Sequence, residues 1–405
     1  MSNQKQIINA SILLAALGYF VDIYDLILFS IVRVKSLKSL GIPDDQLLSQ
    51  GVLLLNMQMG GMLLGGILWG MLGDKKGRLS VLLGSIFLYS IANIANGFVH
   101  DINSYAIWRF IAGIGLAGEL GAGITLVSEA MPKETRAYGT MIVSVVGILG
   151  AVVAALVGDL FDWRVAFWVG GAMGIGLLLL RIKAVESGMF KTMKQTHFKR
   201  GDLFLLFTRK NILRYLSCIL IGIPLWFVIG ILVTFSPEFG KALGMSVVPS
   251  AGKAVLCAYV GLSLGGFASG CLSQLLQSRK KVTAIFMALN ALFMGVYLLN
   301  HQPSLEIFYA TCFALGIASG YWAVFVTIAA EQFGTNIRAT VATTVPNFVR
   351  GSVVPLTLSF QFLKNQHGII NSASVIATAC VVIAFLALLS LHETHAKDLN
   401  YVEEI

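Results

Sequence analysis

The chain has 405 residues, of which 57% are hydrophobic and 12% charged, with a formal net charge of +9 and a mean hydropathy of +0.81. A soluble domain carries about 25% charged residues, so this chain lacks the charge to cover a water-facing surface. That excludes a soluble enzyme, a nucleic-acid binder and a disordered chain, and indicates a polytopic membrane protein.

Windows of about 20 apolar residues predict twelve spanning helices, at roughly 8–32, 50–72, 79–98, 103–128, 137–158, 163–183, 212–235, 253–277, 282–299, 304–330, 339–363 and 369–391. The runs are continuous rather than alternating, which excludes a membrane β-barrel. The N-terminal MSNQKQIINA has no cleavable-signal pattern and leads straight into span 1, which is therefore expected to be retained. The five cysteines all lie in apolar runs without metal or redox spacing and read as small hydrophobes.

Span 1 carries two acids, Asp22 and Asp25. A charge at membrane depth is costly and faces a cavity or a partner. Their spacing of three makes them neighbours on one face. Two close carboxylates raise one another's proton affinity, and burial adds to it, so either can take up and release a proton. The alternative is a purely structural tie to an arginine. Tyr24, beside them, either lines a cavity or packs. Span 2 holds Asn56 and Gln58, which bond neighbouring helices or bind substrate. It leads into Gly73, Asp74, Lys75, Lys76, Gly77 and Arg78, whose Gly-Asp…Gly-Arg frame a plain basic loop does not explain.

Arg109 lies about two turns into span 4, at a depth similar to the acids of span 1, so an acid–Arg109 pair across spans 1 and 4 is expected. Glu119 is ten residues further on, ~15 Å along the helix, too far to be its partner. It reads as a second proton site, a gate residue or a hydrogen-bonded structural acid. Beyond it come Glu129 and Arg136, then a polar, basic central segment at roughly 184–211. In span 7, Pro224 precedes Trp226 and is expected to break the helix near a site. Trp226, Tyr321 and Trp322 are cavity or packing aromatics. Span 11 contains Asn347 and Arg350. An arginine with no acid on its own helix fits a cavity, and its fork suits a carboxylate or phosphate. The rival is a salt bridge to Glu119 or to a span 1 acid. All six histidines fall in loops or the tail, which leaves carboxylates as proton carriers. No phosphate-cradling loop appears, and GIGLAG in span 4 follows no strand, so neither ATP nor a dinucleotide is implied. No cofactor and no metal are expected.

The chain repeats itself. Glu129 and Arg136 recur as Glu331 and Arg338, and Gly118 as Gly320, each shifted by 202 residues. Gly65, Gly66 and Gly70 recur as Gly265, Gly266 and Gly270, shifted by 200. Two homologous six-helix halves follow, with bounds 1–184 and 212–405 and a linker over 185–211. Parallel halves place a substrate cavity near the bilayer midplane between them. With the N-terminus inside, inner segments hold 20 of the 29 Lys and Arg residues and outer loops 7, while Arg109 and Arg350 lie in spans. That bias predicts cytoplasmic termini and a cytoplasmic linker.

GDKKGR (73–78) and RFIAGIGLAGELGAG (109–123) resemble the loop and span 4 motifs of the major facilitator superfamily. GYFVDIYDLILF (18–29), Glu119 and the tail ETHAKDLNYVE (393–403) resemble its metabolite–proton symporters and its sialate and aromatic-acid transporters. The resemblance covers the whole chain. It implies an all-α membrane fold of twelve helices in two pseudo-symmetric six-helix bundles. It also implies a conformational latch at Gly73, Asp74, Gly77 and Arg78. The second-half copy of that loop departs from the pattern, with Gln274 at the position of Asp74, so any latch there is weaker or different. Glu129 with Arg136 and Glu331 with Arg338 read as ion pairs on the inner surface that matter for gating.

The expectation is a proton-coupled symporter of a small organic anion or zwitterion, not an enzyme, that alternates access by rocking its halves. Asp22, Asp25, Arg109 and Glu119 are the coupling candidates. Arg350, Asn347, Tyr24, Gln58, Trp226, Tyr321 and Trp322 are the substrate candidates. Its partners would be the substrate, protons and the lipid of a bacterial-type inner membrane, with no nucleic acid, and the chain would act as a monomer. The rivals are a proton antiporter that exports a drug, metabolite or siderophore, and a transporter-like sensor.

Overall fold

A computed structural model describes residues 2–76, 78–119, 121, 136–186, 206, 208–334 and 337–395. Among them there is no strand, and long helices follow one another through short connections. Spans 1, 2 and 3 are Ser2–Ser39, Leu47–Lys76 and Arg78–Asn96; span 4 begins with Ile102–Leu116; spans 5 and 6 are Arg136–Leu160 and Trp163–Glu186. Span 8 is Ala251–Leu275, span 9 Arg279–Leu299, and span 10 Leu305–Ala318 continued by Trp322–Glu331. Nine stretches are long and apolar enough to cross a membrane by length and composition. The longest, Thr340–Ser390, has 51 residues, ~77 Å of helix at 1.5 Å per residue, more than twice a bilayer's hydrocarbon thickness. It is two spans, 11 and 12, that meet at Gly368, whose φ of 77° only glycine adopts without strain. Spans 4 and 5 complete the predicted twelve. Leu156, Phe267, Leu292, Phe362 and Leu386 are exposed, as a lipid-facing surface requires.

The predicted repeat is visible in how backbones touch. A Cβ at Gly61 would strike the carbonyl of Phe110, and one at Gly65 that of Ile114. In the second half a Cβ at Gly261 would strike the carbonyl of Phe313, and one at Gly265 that of Ile317. Gly113 and Gly316 return the contact against the carbonyls of Gln58 and Ala258. The crossing of spans 2 and 4 is thus rebuilt by spans 8 and 10. Without water to drive association, helices in lipid gain from such close approach, which small residues allow. Gly61→Ala and Gly261→Ala should each cost about 1–3 kcal/mol by overpacking, read as a lowered thermal midpoint of the solubilised protein. Unchanged midpoints would contradict backbone contact at these crossings.

Span 7 is broken as its proline predicts. Helix Arg209–Leu220 stops, Ile223–Phe227 restarts with Pro224 in its first turn, and Val228–Val233 is wound as a π-helix. The hydroxyl of Tyr321 donates to the freed carbonyl of Ile221 at 3.0 Å. Tyr321 itself sits in a 3-10 turn, Ser319–Tyr321, that interrupts span 10.

Two spans run further than their hydropathy indicated. Span 1 continues to Ser39 and span 6 to Glu186, so Arg33, beyond the predicted end of span 1, is helical and buried, and Arg181, at the inner edge of the predicted span 6 but tallied with the inner segments, is buried too.

At the end of the bundle that carries the chain termini, Arg279 bridges Glu331 at 2.7 Å, and Arg338 donates to the carbonyls of Ala330 and Phe333. The Arg279–Glu331 bridge joins spans 9 and 10. Glu393 caps span 9, accepting from the Ser278 hydroxyl at 2.5 Å and the Arg279 amide at 3.0 Å. Burial disfavours its charge, but hydrogen bonds from Ser278 and from the amides of His395, Arg279 and Thr394 outweigh this and hold its pKa at about 2. With the folded value below the ordinary one, the cap's contribution is complete above about pH 4.5 and fades as pH falls toward 2. Glu393→Gln should therefore lower the thermal midpoint at pH 7 and matter progressively less below pH 4.5. An equal deficit at both pH values would contradict this.

Candidate substrate and coupling site

The interface between the halves brings together one side chain from each of four broken or charged spans. Asp22 of span 1 and Arg350 of span 11 approach to 3.9 Å and are both buried. The guanidinium lies 5.8 Å from the ring centroids of both Trp226 and Trp322, which pack edge-to-face at 6.5 Å. Tyr19 and Tyr259, which the sequence reading passed over, stand within electrostatic reach of both Asp22 and Arg350. The pairing is loose. Neither carboxylate oxygen of Asp22 makes a hydrogen bond, and neither do Nε and Nη1 of Arg350 or the indole nitrogen of Trp226. Buried polar groups ordinarily find partners, and these find none among the described residues.

The remaining candidates divide between bracing and other contacts. Asn347 donates to the carbonyl of Ala117 at 2.8 Å, tying span 11 to span 4 across the halves, and its own oxygen accepts nothing. Thr357 donates to Asn56 at 2.6 Å, tying span 11 to span 2. Tyr24 spends its hydroxyl on the carbonyl of Ala166 at 2.8 Å, within the first half.

The expected pair between a span 1 acid and Arg109 is corrected. Arg109 donates to Gln58 and is sandwiched between Phe29 and Phe167, at 5.1 and 5.5 Å. Both carboxylate oxygens of Asp25 are without hydrogen bonds, and Asp25 lies instead against Gly170 of span 6. Arg109 stands within electrostatic reach of Asp25, but similar depth does not close an ion pair, because depth fixes height and not direction around the helix. Glu119, as expected, does not reach Arg109. It pairs with Arg181 at 2.5 and 3.1 Å, and Arg181 also donates to the carbonyl of Leu14. Glu119 and Arg181 are packed against Gly18 of span 1, where no side chain would fit.

At the opposite end of the bundle from the termini, Arg33 of span 1 forms a two-point bridge to Glu238 at 2.7 Å. Its other contacts are the carbonyls of Leu47 and Thr234 and the face of Phe235 at 4.5 Å. Thr234 adds a hydrogen bond to Ser30 at 3.0 Å. This clasp joins the two halves. Removing one partner of a buried pair is strongly unfavourable for the state that contains it. Glu238→Gln should therefore raise the thiol-labelling rate of Ser30→Cys, in a background without the five native cysteines, by more than about tenfold. An unchanged rate would mean the clasp does not hold that end shut.

Of the gating candidates, Gly73 is buried at the end of span 2. Gly77 and Glu129 lie outside the described residues, as do the side chains of Asp74, Arg78 and Arg136. Among the described residues no group of three or more His, Cys, Asp or Glu could hold a metal ion.

Residues 12–357 match the family model described as Major Facilitator Superfamily. A Haemophilus influenzae protein whose name assigns it only to metabolite transport is 29% identical over 395 residues, 91% of this chain and 94% of that one. The 3-(3-hydroxy-phenyl)propionate transporter of Escherichia coli is 28% identical over 308 residues, 72% of this chain and 74% of that one. The Escherichia coli sialic acid transporter NanX is 26% identical over 236 residues, 56% of each chain. Among solved structures, the Escherichia coli xylose transporter XylE in a partially occluded inward-open conformation superposes with a TM-score of 0.73. It is 17% identical and covers 97% of this chain and 100% of that one, a likeness of fold. With helices, internal repeat and family match in agreement, the chain belongs to the Major Facilitator Superfamily and is a membrane transporter, not an enzyme.

Proposed function

We propose that this transporter is a proton-coupled symporter of a small organic anion or zwitterion. The observation that carries the reading is the loose Asp22–Arg350 pair at the interface, 3.9 Å apart, with unused donors on the guanidinium. Nε and Nη1 of Arg350 have no hydrogen-bond partner, and either of them together with Nη2, which stands only loosely against Asp22, presents an incoming carboxylate with a planar fork, the geometry that arginine recognises best. Its negative charge then stands beside Asp22, and two anions in one buried site raise each other's proton affinity. Substrate binding therefore drives proton uptake at Asp22, and protonation in turn favours substrate. This reciprocity is what couples the two fluxes. The flanking tryptophans supply apolar faces for the body of the substrate. Asp25 serves as a second proton acceptor on the same span. The relatives named for sialic acid and for 3-(3-hydroxy-phenyl)propionate are named for carboxylates, which supports an anionic substrate.

In this reading the termini and the 185–211 linker are cytoplasmic, as the Lys/Arg bias supports, and the Arg33–Glu238 clasp faces outward. The frame of Gly73, Asp74, Gly77 and Arg78, with Glu129 and Arg136, latches the cytoplasmic side of the first half, and Glu331 and Arg338 that of the second. The halves 1–184 and 212–405 rock about the central site in a monomer. The test is uptake of labelled 3-(3-hydroxyphenyl)propionate, benzoate and sialic acid into proteoliposomes that are acidic outside. Accumulation above equilibrium supports symport. Acid-driven efflux of the same compounds would establish antiport instead, and no substrate-linked flux for any carboxylate would overturn the reading.

A further inference from the structure

The first half contains polar groups that neither the substrate site nor helix packing uses. Ser90, Asn93 and Asn96 lie at intervals of three along span 3, on one face, and all are fully buried. Neither Ser90 Oγ nor any side-chain polar atom of Asn93 or Asn96 makes a hydrogen bond, and the same holds for the Tyr89 hydroxyl and both oxygens of Asp25. Each such group left dry is unfavourable, so a cluster of this size needs partners that the protein does not supply. Apolar side chains would have packed span 3 at no such cost.

The cluster is continuous with Asp25. The carboxylate of Asp25 lies against Gly170, and the hydroxyl of Ser90 against Gly174. Positions four apart on a helix are about 5–6 Å from each other, a gap that one bridging water closes and a direct hydrogen bond does not. Asn93 is near the same carboxylate without reaching hydrogen-bond geometry. From Ser90 to Asn96 the file rises ~9 Å along the helix. Asn96 is the last residue of span 3, and the exposed His100 and Asp101 follow one turn later. The glycines of span 6 keep the face of Asp25 and Ser90 free of side chains.

We infer that water held by Ser90, Asn93 and Asn96 forms a proton-entry route inside the first half, leading from the 3/4 connection to Asp25 and separate from the substrate path. The inference rests on the coupling reading above. A proton passes between waters, each step making one O–H bond and breaking another, and ends as the O–H of the Asp25 carboxyl. The amides and hydroxyl orient the water and carry no proton themselves, so they are positioning residues. The charged and titratable groups facing Asp25 are Asp22 and Tyr24 on its own span, Tyr89 on span 3 and Arg109 on span 4. Glu119 and Arg181 act on Tyr89 from spans 4 and 6. Because Asp25 is approached from spans 3 and 6 and Asp22 from span 11, a proton reaches Asp25 while the Arg33–Glu238 clasp is still closed.

The test is Asn93→Leu and Asn96→Leu, which keep volume and remove the water partners. In proteoliposomes, two rates are compared for the carboxylate that the native protein accumulates best: uptake driven by an imposed pH gradient, and exchange at equal pH. Both variants should retain exchange to within about twofold, and lose gradient-driven uptake by more than about tenfold. Their thermal midpoints should hold or rise, since an apolar group replaces an unsatisfied one. Gradient-driven uptake at the native rate would overturn the route. So would a parallel loss of exchange and uptake, which would make span 3 merely structural. A native protein that exchanges substrate yet ignores the gradient would overturn the coupling reading itself, before any variant is compared.

Discussion

Arg350→Ala should weaken binding of carboxylate substrates by more than about 100-fold, equivalent to about 2.7 kcal/mol, the range lost when one partner of a buried charged contact is removed. The guanidinium is buried between Trp226 and Trp322, so it interacts with little competition from water, and its free Nε and Nη1 have no other partner to satisfy. Arg350→Lys restores the charge but not the planar fork and should recover only part of the affinity. The uncharged amide of the same substrate should bind the native protein poorly and distinguish little between native and Arg350→Ala. Arg350→Ala also strands the Asp22 charge in the membrane, so Arg350→Met combined with Asp22→Asn provides a folded control that lacks both charges. Binding is read by thermal shift against carboxylate and amide pairs. Equal affinity of native and Arg350→Ala across the carboxylates would remove Arg350 from the site.

The second large effect concerns the acids of span 1. Asp25→Asn should abolish proton-driven accumulation while leaving exchange at equal pH partly intact, because asparagine keeps the size of the side chain and loses the proton. Asp22→Asn should do the same and in addition change affinity, since Asp22 is the acid that faces Arg350 at 3.9 Å. A carboxylate that must change protonation once per cycle cannot be replaced by a group that never does, so the expected loss of accumulation exceeds about tenfold in each case. Accumulation that survives in both variants would show that neither acid couples the fluxes.

Much of this architecture is legible in the chain because membranes make simple demands. Lengths of about 20 apolar residues mark the spans, and the recurrence of Gly65 and Gly265, or Gly118 and Gly320, marks the two halves. Pro224 announced the break in span 7. Asp22 and Arg350 stood out because charges in lipid are rare. What could not be read was direction and long-range partnership. Arg33 looked like a loop cation because its partner Glu238 lies 205 residues away, and a hydropathy window contains no such information. Arg181 was placed at a span edge for the same reason, its partner Glu119 being 62 residues distant. The predicted approach of Arg109 to the span 1 acids had depth in its favour, but Gln58 on the facing helix meets the guanidinium first. The asparagines of span 3 did carry a signal, a polar face at intervals of three within an apolar run, but the polar residues taken up from the sequence were Asn56, Gln58 and Asn347.

The account turns on one claim: a bound anion and a proton share the Asp22–Arg350 site, so each favours the other. Calorimetric titration of the best-binding carboxylate, in buffers of different ionisation enthalpy, counts protons taken up on binding. The account predicts net proton uptake in the native protein near neutral pH, approaching one per site, and a clear loss of that uptake in Asp22→Asn. Binding with no proton uptake in the native protein, or with the same uptake in Asp22→Asn, would contradict it.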